Sequence, residues 1–247
     1  MPPKLSIVIP CRNEISRLPD TLTKIENYRK VNPEIEVVIV VEKGTDGTDV
    51  FAKQWADTHD LAQAICNNIA KGKGFAVKTG MLAANGQIRM FMDADGAVPI
   101  GLLDTFIETI YNHTQDTIVI GSRQHTQSRI LIAQPNSRVF SGRMFNLVMR
   151  MQGFTVLKDT QCGFKMLSGK LADKIFAKTN DVGFGFDVEM LYIARKEGAK
   201  TLELPVDWTD KPGSKVTAIS GGVKALLLTS YICWKHRLRY LLYSQSN

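Results

Sequence analysis

Cysteine, histidine and long apolar runs are all scarce in this chain of 247 residues. Four cysteines, Cys11, Cys66, Cys162 and Cys233, stand far apart without metal-type spacing. They read as reduced structural thiols, which excludes a disulfide-stapled fold. The four histidines, His59, His113, His125 and His236, are equally dispersed and argue against a zinc centre. No run of about 18 apolar residues occurs, so no membrane-spanning helix is expected. No leader is read either, because "MPPKLSIVIP" passes straight into a strand pattern; a cytoplasmic location is expected. Acidic residues are missing from the C-terminal end. After Asp210 there are none, while Lys211, Lys215, Lys224, Lys235, Arg237 and Arg239 remain. With a net charge of +7, such a tail suits phosphates, anionic lipid or nucleic acid, or is a solvated helix face.

What is present is an ordinary globular composition, 44% hydrophobic and 22% charged. "LSIVIP" (5–10), "IEVVIVV" (35–41) and "IRMFMD" (88–93) read as buried strands, "AQAICN" (62–67) as a short strand and "DTIVIGS" (116–122) as another strand. Helical patterns separate them at 16–30, 46–59, 74–85 and 99–113, with Ser16 as a cap for the first and Pro99 opening the last. The alternation predicts an α/β fold with a mostly parallel central sheet flanked by helices. Further on, 136–152, 183–197 and 219–242 read as helices, 159–169 as a loop leading into a strand or turn, and 200–208 as a strand. Neither an internal repeat nor a linker is visible. One domain over 1–215 is expected, with a basic amphipathic helix over 216–247.

Ligands of such sheets bind at the carboxyl ends of strands. The residues just past the apolar runs are Arg12, Asn13 and Glu14; Glu42; Asn67 and Asn68; Asp93 and Asp95; Ser122 and Arg123. They come from separate strands yet face one edge. Asp93 and Asp95, two apart at a strand end, point to the same side and can share one hard cation. Their other reading is a cap followed by a turn aspartate before Gly96. In "NNIAKGKGFAVKTGM" (67–81), glycines flank Lys73 ahead of a helix, which suits a diphosphate or a solvated basic turn. The spacing of a Walker loop is absent. Arg123 and Arg138 suit phosphate as bidentate donors. Arg143 and Arg150, seven apart on one expected helix, read as a wet basic face. "GGVKALLLTSYICWKHRLRYLLY" (221–243) mixes apolar and aromatic residues with positive charge only. It suits a helix lying on anionic lipid, or one packed on the domain.

Taken together, "IVIPCRNE" (7–14), "EKGTDGT" (42–48), "NIAKGKGFAVKTG" (68–80), "DADG" (93–96), "IGSR" (120–123), "DTQCGFK" (159–165) and "GFGFDVEMLYIARKEG" (183–198) resemble the family 2 glycosyltransferases of GT-A fold, in that family's order over residues 4–215. "DADGA", "DTQCGFK" and "VDWTDKPGSK" are most similar to dolichyl-phosphate glucosyltransferases, with polyprenyl-phosphate mannosyltransferases next. The resemblance implies a nucleoside cradle of Pro10, Arg12, Asn13 and Glu14, with Glu42 at the base and Lys73 and Gly74 near base and diphosphate. Asp93 would lie by the ribose or diphosphate and share a divalent Mg or Mn with Asp95, the principal ligand. Ser122, Arg123, Arg138, Ser141, Gln161 and Lys165 would serve the acceptor phosphate. Asp95, Asp159 and Arg123 would carry catalysis. The family usually shows adjacent aspartates after the second strand, where this chain has Val41, Glu42 and Lys43; some relatives carry a further polar residue where this chain has Ala97.

The expected activity is inverting, metal-dependent transfer of a hexose from UDP-glucose, or alternatively of mannose from GDP-mannose, to a polyprenyl phosphate. A soluble sugar, polysaccharide or protein hydroxyl as acceptor, and a non-catalytic sugar-nucleotide binder, are the other readings. Peripheral contact with the cytoplasmic face of a membrane is expected, and no nucleic-acid partner.

Overall fold

A computed structural model describes residues 3–132 and 157–209, together with 227, 230, 231 and 234. The expected helix over 136–152, and Arg138 and Ser141 with it, lies outside the described residues, as does nearly all of 216–247.

Five strands alternate with helices in the first half. They are β1 (Leu5–Cys11), β2 (Ile35–Glu42), β3 (Ala62–Asn67), β4 (Ile88–Met92) and β5 (Thr117–Ser122). Between them lie α1 (Leu18–Arg29), α2 (Thr48–Asp57), α3 (Lys73–Ala83) and α4 (Leu103–Tyr111), the last entered through a short 3-10 turn at Ile100–Leu102. Then follow β6 (Arg129–Ile132), β7 (Phe164–Ser168), α5 (Gly169–Lys178), α6 (Phe186–Lys196), β8 (Lys200–Pro205) and β9 (Asp207–Thr209). Seven strands form one sheet in the order β3-β2-β1-β4-β7-β5-β8, and β6 pairs with β9 in a separate ribbon.

The apolar runs are explained by burial on both faces. All eight residues of β2 are buried. Their period-2 alternation splits the core into two layers. Val37, Ile39 and Val41 join Leu18, Leu22 and Phe106 on one face, while Val38 and Val40 meet Val77, Met81 and Phe186 on the other. Glu36 and Glu42, one near each end of β2, are its polar exceptions. Glu36 is buried near the amino end, and its carboxylate accepts from Ser6 Oγ, from Asn85 N (2.8 Å) and from Asn85 Nδ2 (2.9 Å), tying the end of α3 to the sheet. A buried carboxylate is tolerable when hydrogen-bonded in this way.

Strand β7 runs antiparallel to both of its neighbours, β4 and β5. Its amino end therefore lies at the carboxyl edge of the rest of the sheet. The loop 159–163, which precedes it, is thereby delivered between the ends of β4 and β5.

Some sequence expectations need correction. Ser16 does not cap α1: the N-cap is Arg17 without a side-chain cap bond. The turn is set instead by Glu14 O, which accepts from Arg17 N (2.9 Å) and Leu18 N (2.8 Å). Residues 200–208 do not form one strand. The chain leaves the main sheet after Pro205 and re-pairs with β6, a strand the pattern did not reveal because its residues are exposed rather than alternating. No helix among the described residues is long and apolar enough to cross a membrane.

Candidate active site

The loops after β1 and β2 are sewn together. Asn13 adopts φ 55°, and its Oδ1 accepts from Thr45 N at 2.7 Å. Glu14 N donates to Thr48 Oγ1 (2.8 Å) and Ile15 N to Asp46 Oδ2 (3.0 Å). Pro10 ends the apolar part of β1, and Arg12 is exposed just beyond it. The Glu42 carboxylate, buried at the end of β2, accepts from Lys71 N (3.0 Å) and Gly72 N (2.7 Å). It thus holds the loop that starts α3.

A second loop meets this one. Gly74 N donates to Gly183 O and Phe75 N to Val182 O, each at 3.1 Å. The segment 180–185 is in turn fixed by Glu189, whose Oε2 accepts from Asn180 N (2.8 Å) and Asp181 N (2.7 Å). The outcome is a rigid mount for Lys73, whose Nζ lies 2.6 Å from Asp93 Oδ1. Burial works against the Lys73 charge, but Asp93, Asp187 and Asp95 outweigh it and shift its pKa upward.

Asp93 and Asp95 form the turn after β4. Asp93 N donates to Gly163 O at 3.0 Å, and Asp95 Oδ1 accepts from Ala97 N at 3.0 Å. Gly96 takes φ 59°, the left-handed conformation that the tight turn requires. Burial, and next the charge of Asp93, raise the Asp95 carboxyl above its ordinary value. The amino end of β7 can pass this turn only because residue 163 is glycine. A Cβ there would stand 2.1 Å from Asp93 Oδ2.

Across β7, Arg123 pairs with Asp159 in fork geometry, Nε–Oδ2 at 2.7 Å and Nη2–Oδ1 at 2.9 Å, with Arg123 N also donating to Oδ2 at 3.0 Å. Burial would raise the Asp159 carboxyl, but Arg123 holds it below the usual range. Glu203 on β8 grips the backbone here, accepting from Lys158 N (2.9 Å) and Asp159 N (2.8 Å). Beside the pair, Ser122 Oγ and Gln161 Nε2 are buried and have no hydrogen-bond partner among the described residues. The guanidinium carbon of Arg123 also lies 5.7 Å from the Trp208 ring. Lys165 is turned away from this opening. Fully buried, it bonds to Cys162 O (2.8 Å) and to Asp187. The Cys162 thiol is pushed up to about 12, by burial first and then by Asp159, so it is inert.

The structure thus gathers Asp93, Asp95 and Lys73 beside one wall of β7 and Ser122, Arg123, Asp159 and Gln161 beside the other. Glu42, Gly74 and Lys165 serve as braces among their own neighbours. Sequence reasoning missed Glu203, Glu189, Asp46, Asp187 and Trp208. All but Glu203 lay inside a quoted motif, but Asp46 was not distinguishable there from an ordinary turn aspartate, nor Asp187 and Glu189 from solvated helix carboxylates.

The mostly parallel seven-stranded sheet, with charged loops gathered at its carboxyl edge, is that of a glycosyltransferase of GT-A fold. The chain belongs to glycosyl transferase family 2, which it matches over residues 6–176. It is 34% identical over 229 residues to a dolichyl-phosphate beta-glucosyltransferase from Trichomonas vaginalis, covering 89% of this chain and 70% of that one. The Saccharomyces cerevisiae dolichyl-phosphate beta-glucosyltransferase is 30% identical over 239 residues, with 89% and 71% covered. Among solved structures, the glucosyl-3-phosphoglycerate synthase of Mycobacterium tuberculosis with Mn2+, uridine diphosphate and phosphoglyceric acid shares the fold. Its TM-score is 0.64 at 16% identity, with 94% of this chain and 78% of that one covered.

Proposed function

We propose that this enzyme transfers glucose from UDP-glucose to a dolichyl or related polyprenyl phosphate, with inversion at the anomeric carbon. Glucose rather than mannose, and a prenyl phosphate rather than a hydroxyl, follow the relatives at about 30% identity. The observation that carries the acceptor half is the pair of buried, unpartnered groups, Ser122 Oγ and Gln161 Nε2, beside Arg123. A buried polar group left unsatisfied costs about 1–3 kcal/mol, so a bound phosphate would recover that loss.

The acid turn fits a divalent cation. Two hard oxygen donors sit at one turn, and Lys73 engages only Oδ1 of Asp93. Burial first, and then the charge of Asp93, displace the Asp95 carboxyl upward, and a cation held between the two carboxylates would oppose both effects. Among the described residues no third carboxylate, histidine or cysteine joins the pair. Asp93 and Asp95 would hold Mg or Mn, which when bound supplies charge stabilisation to the departing diphosphate. Lys73 adds a fixed positive charge from the start of α3. Arg123 and Ser122 orient the acceptor phosphate. One of its oxygens forms the new bond to the anomeric carbon as the bond to UDP breaks from the opposite face, the electron pair leaving with UDP. Phosphate is ionised at neutral pH, so no strong base is required. Asp159 holds the Arg123 fork in place. Catalysis is then mainly alignment and electrostatics. Contact with the membrane that holds such a lipid would be peripheral.

The test is transfer of labelled glucose from UDP-glucose to dolichyl phosphate, followed in the lipid phase. Asp95→Asn and chelation should each lower turnover at least about 100-fold. Full turnover in either condition removes the cation from the scheme, and absence of glycolipid with the intact enzyme removes the acceptor.

A further inference from the structure

The ribbon of β6 and β9 is anchored on both halves of the site. Ser128 Oγ donates to Ser122 O (2.5 Å) and accepts from Val206 N (3.0 Å), tying the start of β6 to the end of β5. At its other end, Thr209 N donates to Ala97 O at 3.1 Å, two residues beyond Asp95. Trp208 turns inward, 8% exposed, toward Arg123.

The outward strand has the opposite character. Ile130, Leu131 and Ile132 are 44%, 61% and 54% exposed. Successive strand residues point to opposite sides, so neither face of β6 is covered among the described residues. Edge strands in water normally carry charges or proline. Here the only charge is Arg129, and Asp207 holds it with Nε–Oδ1 at 2.8 Å. Val31, Val50 and Leu82 are exposed singly, the ordinary pattern of a surface, while Val182 with Phe184, and Leu227 with Tyr231 and Trp234, are the other groupings of exposed apolar side chains among the described residues.

We propose that Ile130–Ile132 form a bilayer-contact edge, entering the hydrocarbon boundary of the leaflet that carries the acceptor. The inference rests on the prenyl-phosphate reading above and specifies how that substrate is reached. A prenyl phosphate keeps its phosphate at headgroup level and its chain in hydrocarbon. Seating that phosphate on Arg123 brings lipid hydrocarbon to the immediate surroundings of Arg123. The ribbon is fastened there and carries uncovered aliphatic side chains. The net charge of +7 favours approach to an anionic surface, and the aliphatic edge supplies the salt-resistant part of the contact.

The test is co-sedimentation of the full chain with phosphatidylcholine vesicles, with and without phosphatidylserine, at low salt and at about 1 M salt, where screening acts within about 3 Å. The parent is compared with Ile130→Ser/Leu131→Ser/Ile132→Ser and with Val31→Ser. Parent and Val31→Ser should keep vesicle binding at high salt, and the triple variant should lose it by about tenfold or more. The rise in melting temperature on adding UDP should be the same in all three, showing intact folding. Equal binding by the triple variant, as a protein partner at this edge would give, overturns the proposal. So does failure of the parent to bind either vesicle. Glucose transfer to a short prenyl phosphate soluble without vesicles is read separately. Its absence with vesicle binding intact overturns the acceptor assignment and leaves the contact edge standing.

Discussion

At the scale of single residues, the site depends on what Gly163 omits and on what Glu203 holds. A methyl group at position 163 overlaps both carboxylate oxygens of Asp93, and the obstacle is a charged group already fixed by Lys73. Gly163→Ala must therefore move the acid turn or the start of β7. Activity should fall about 100-fold, the scale of a 1 Å misplacement. Stability should fall by roughly 1–3 kcal/mol. An unchanged kcat with Ala at 163 would show that the turn is not poised for chemistry. Glu203 touches neither half of the substrate, yet both its oxygens accept amides of the Asp159 loop. Glu203→Gln replaces one acceptor by a donor facing an N–H. The acceptor KM should rise about tenfold while the donor KM stays constant, and a donor KM that rises equally would reduce Glu203 to general support.

Asp159 gives a pH signature with a definite sign. Arg123 keeps its folded pKa below the unfolded value of about 3.9. The pair therefore stabilises fully above that value, and the contribution is lost as pH falls through the folded pKa. At neutral pH, Asp159→Asn should cost about 2 kcal/mol, a figure kept low because the Arg123 side chain is 28% exposed. That corresponds to roughly 4–8 °C in melting temperature. The gap between variant and parent should begin to narrow below about pH 4 and close only as pH falls through the lowered folded pKa of Asp159, where the parent carboxyl is also neutral. A gap independent of pH would mean the pairing does not supply the stabilisation.

At the scale of elements, the start of α3 owes its position to α6. Glu189 holds the segment 180–185, and the carbonyls of Val182 and Gly183 receive the first amides of α3. Glu189→Gln should loosen that mount, raising the donor KM about tenfold with the acceptor KM unchanged. Steady-state kinetics with each substrate varied would decide it, and a shift confined to the acceptor would contradict the linkage. The elements themselves were uneven in legibility. β1, β2, β4 and β5 could be read because burial on both faces leaves near-continuous apolar runs, and the ends of the last two pointed to Asp93, Asp95 and Arg123, while half-buried β3 was read from its place in the alternation. The antiparallel placement of β7 could not be read, since a five-residue strand such as Phe164–Ser168 looks alike in either direction. That single fact of topology brings Gly163 to the acid turn and Asp159 to Arg123. Exposed β6 gave no periodicity to detect. Buried Glu189 and half-buried Glu203 look in sequence like solvated carboxylates, because their partners are backbone amides that any sequence possesses.

At the scale of the molecule, the cleft draws on the ends of β1, β2, β4 and β5 and on the start of β7, so a donor bridging them should stabilise the sheet as one unit. A ligand that binds only the folded state stabilises by about 2.7 kcal/mol at a hundredfold excess over Kd. For a chain of this size that is roughly 5–11 °C of melting temperature. UDP-glucose with manganese should produce such a rise in a single transition. UDP-glucose alone should give much less, because its diphosphate then meets the Asp93 and Asp95 carboxylates with only Lys73 to offset them. Asp95→Asn should erase most of the difference between the two conditions while its own melting temperature stays near that of the parent, since Asp95 is strained by burial and by Asp93 rather than stabilised. Equal shifts with and without manganese in the parent would locate the diphosphate away from the acid turn. No shift with any sugar nucleotide would leave the basic mount at α3 without its ligand.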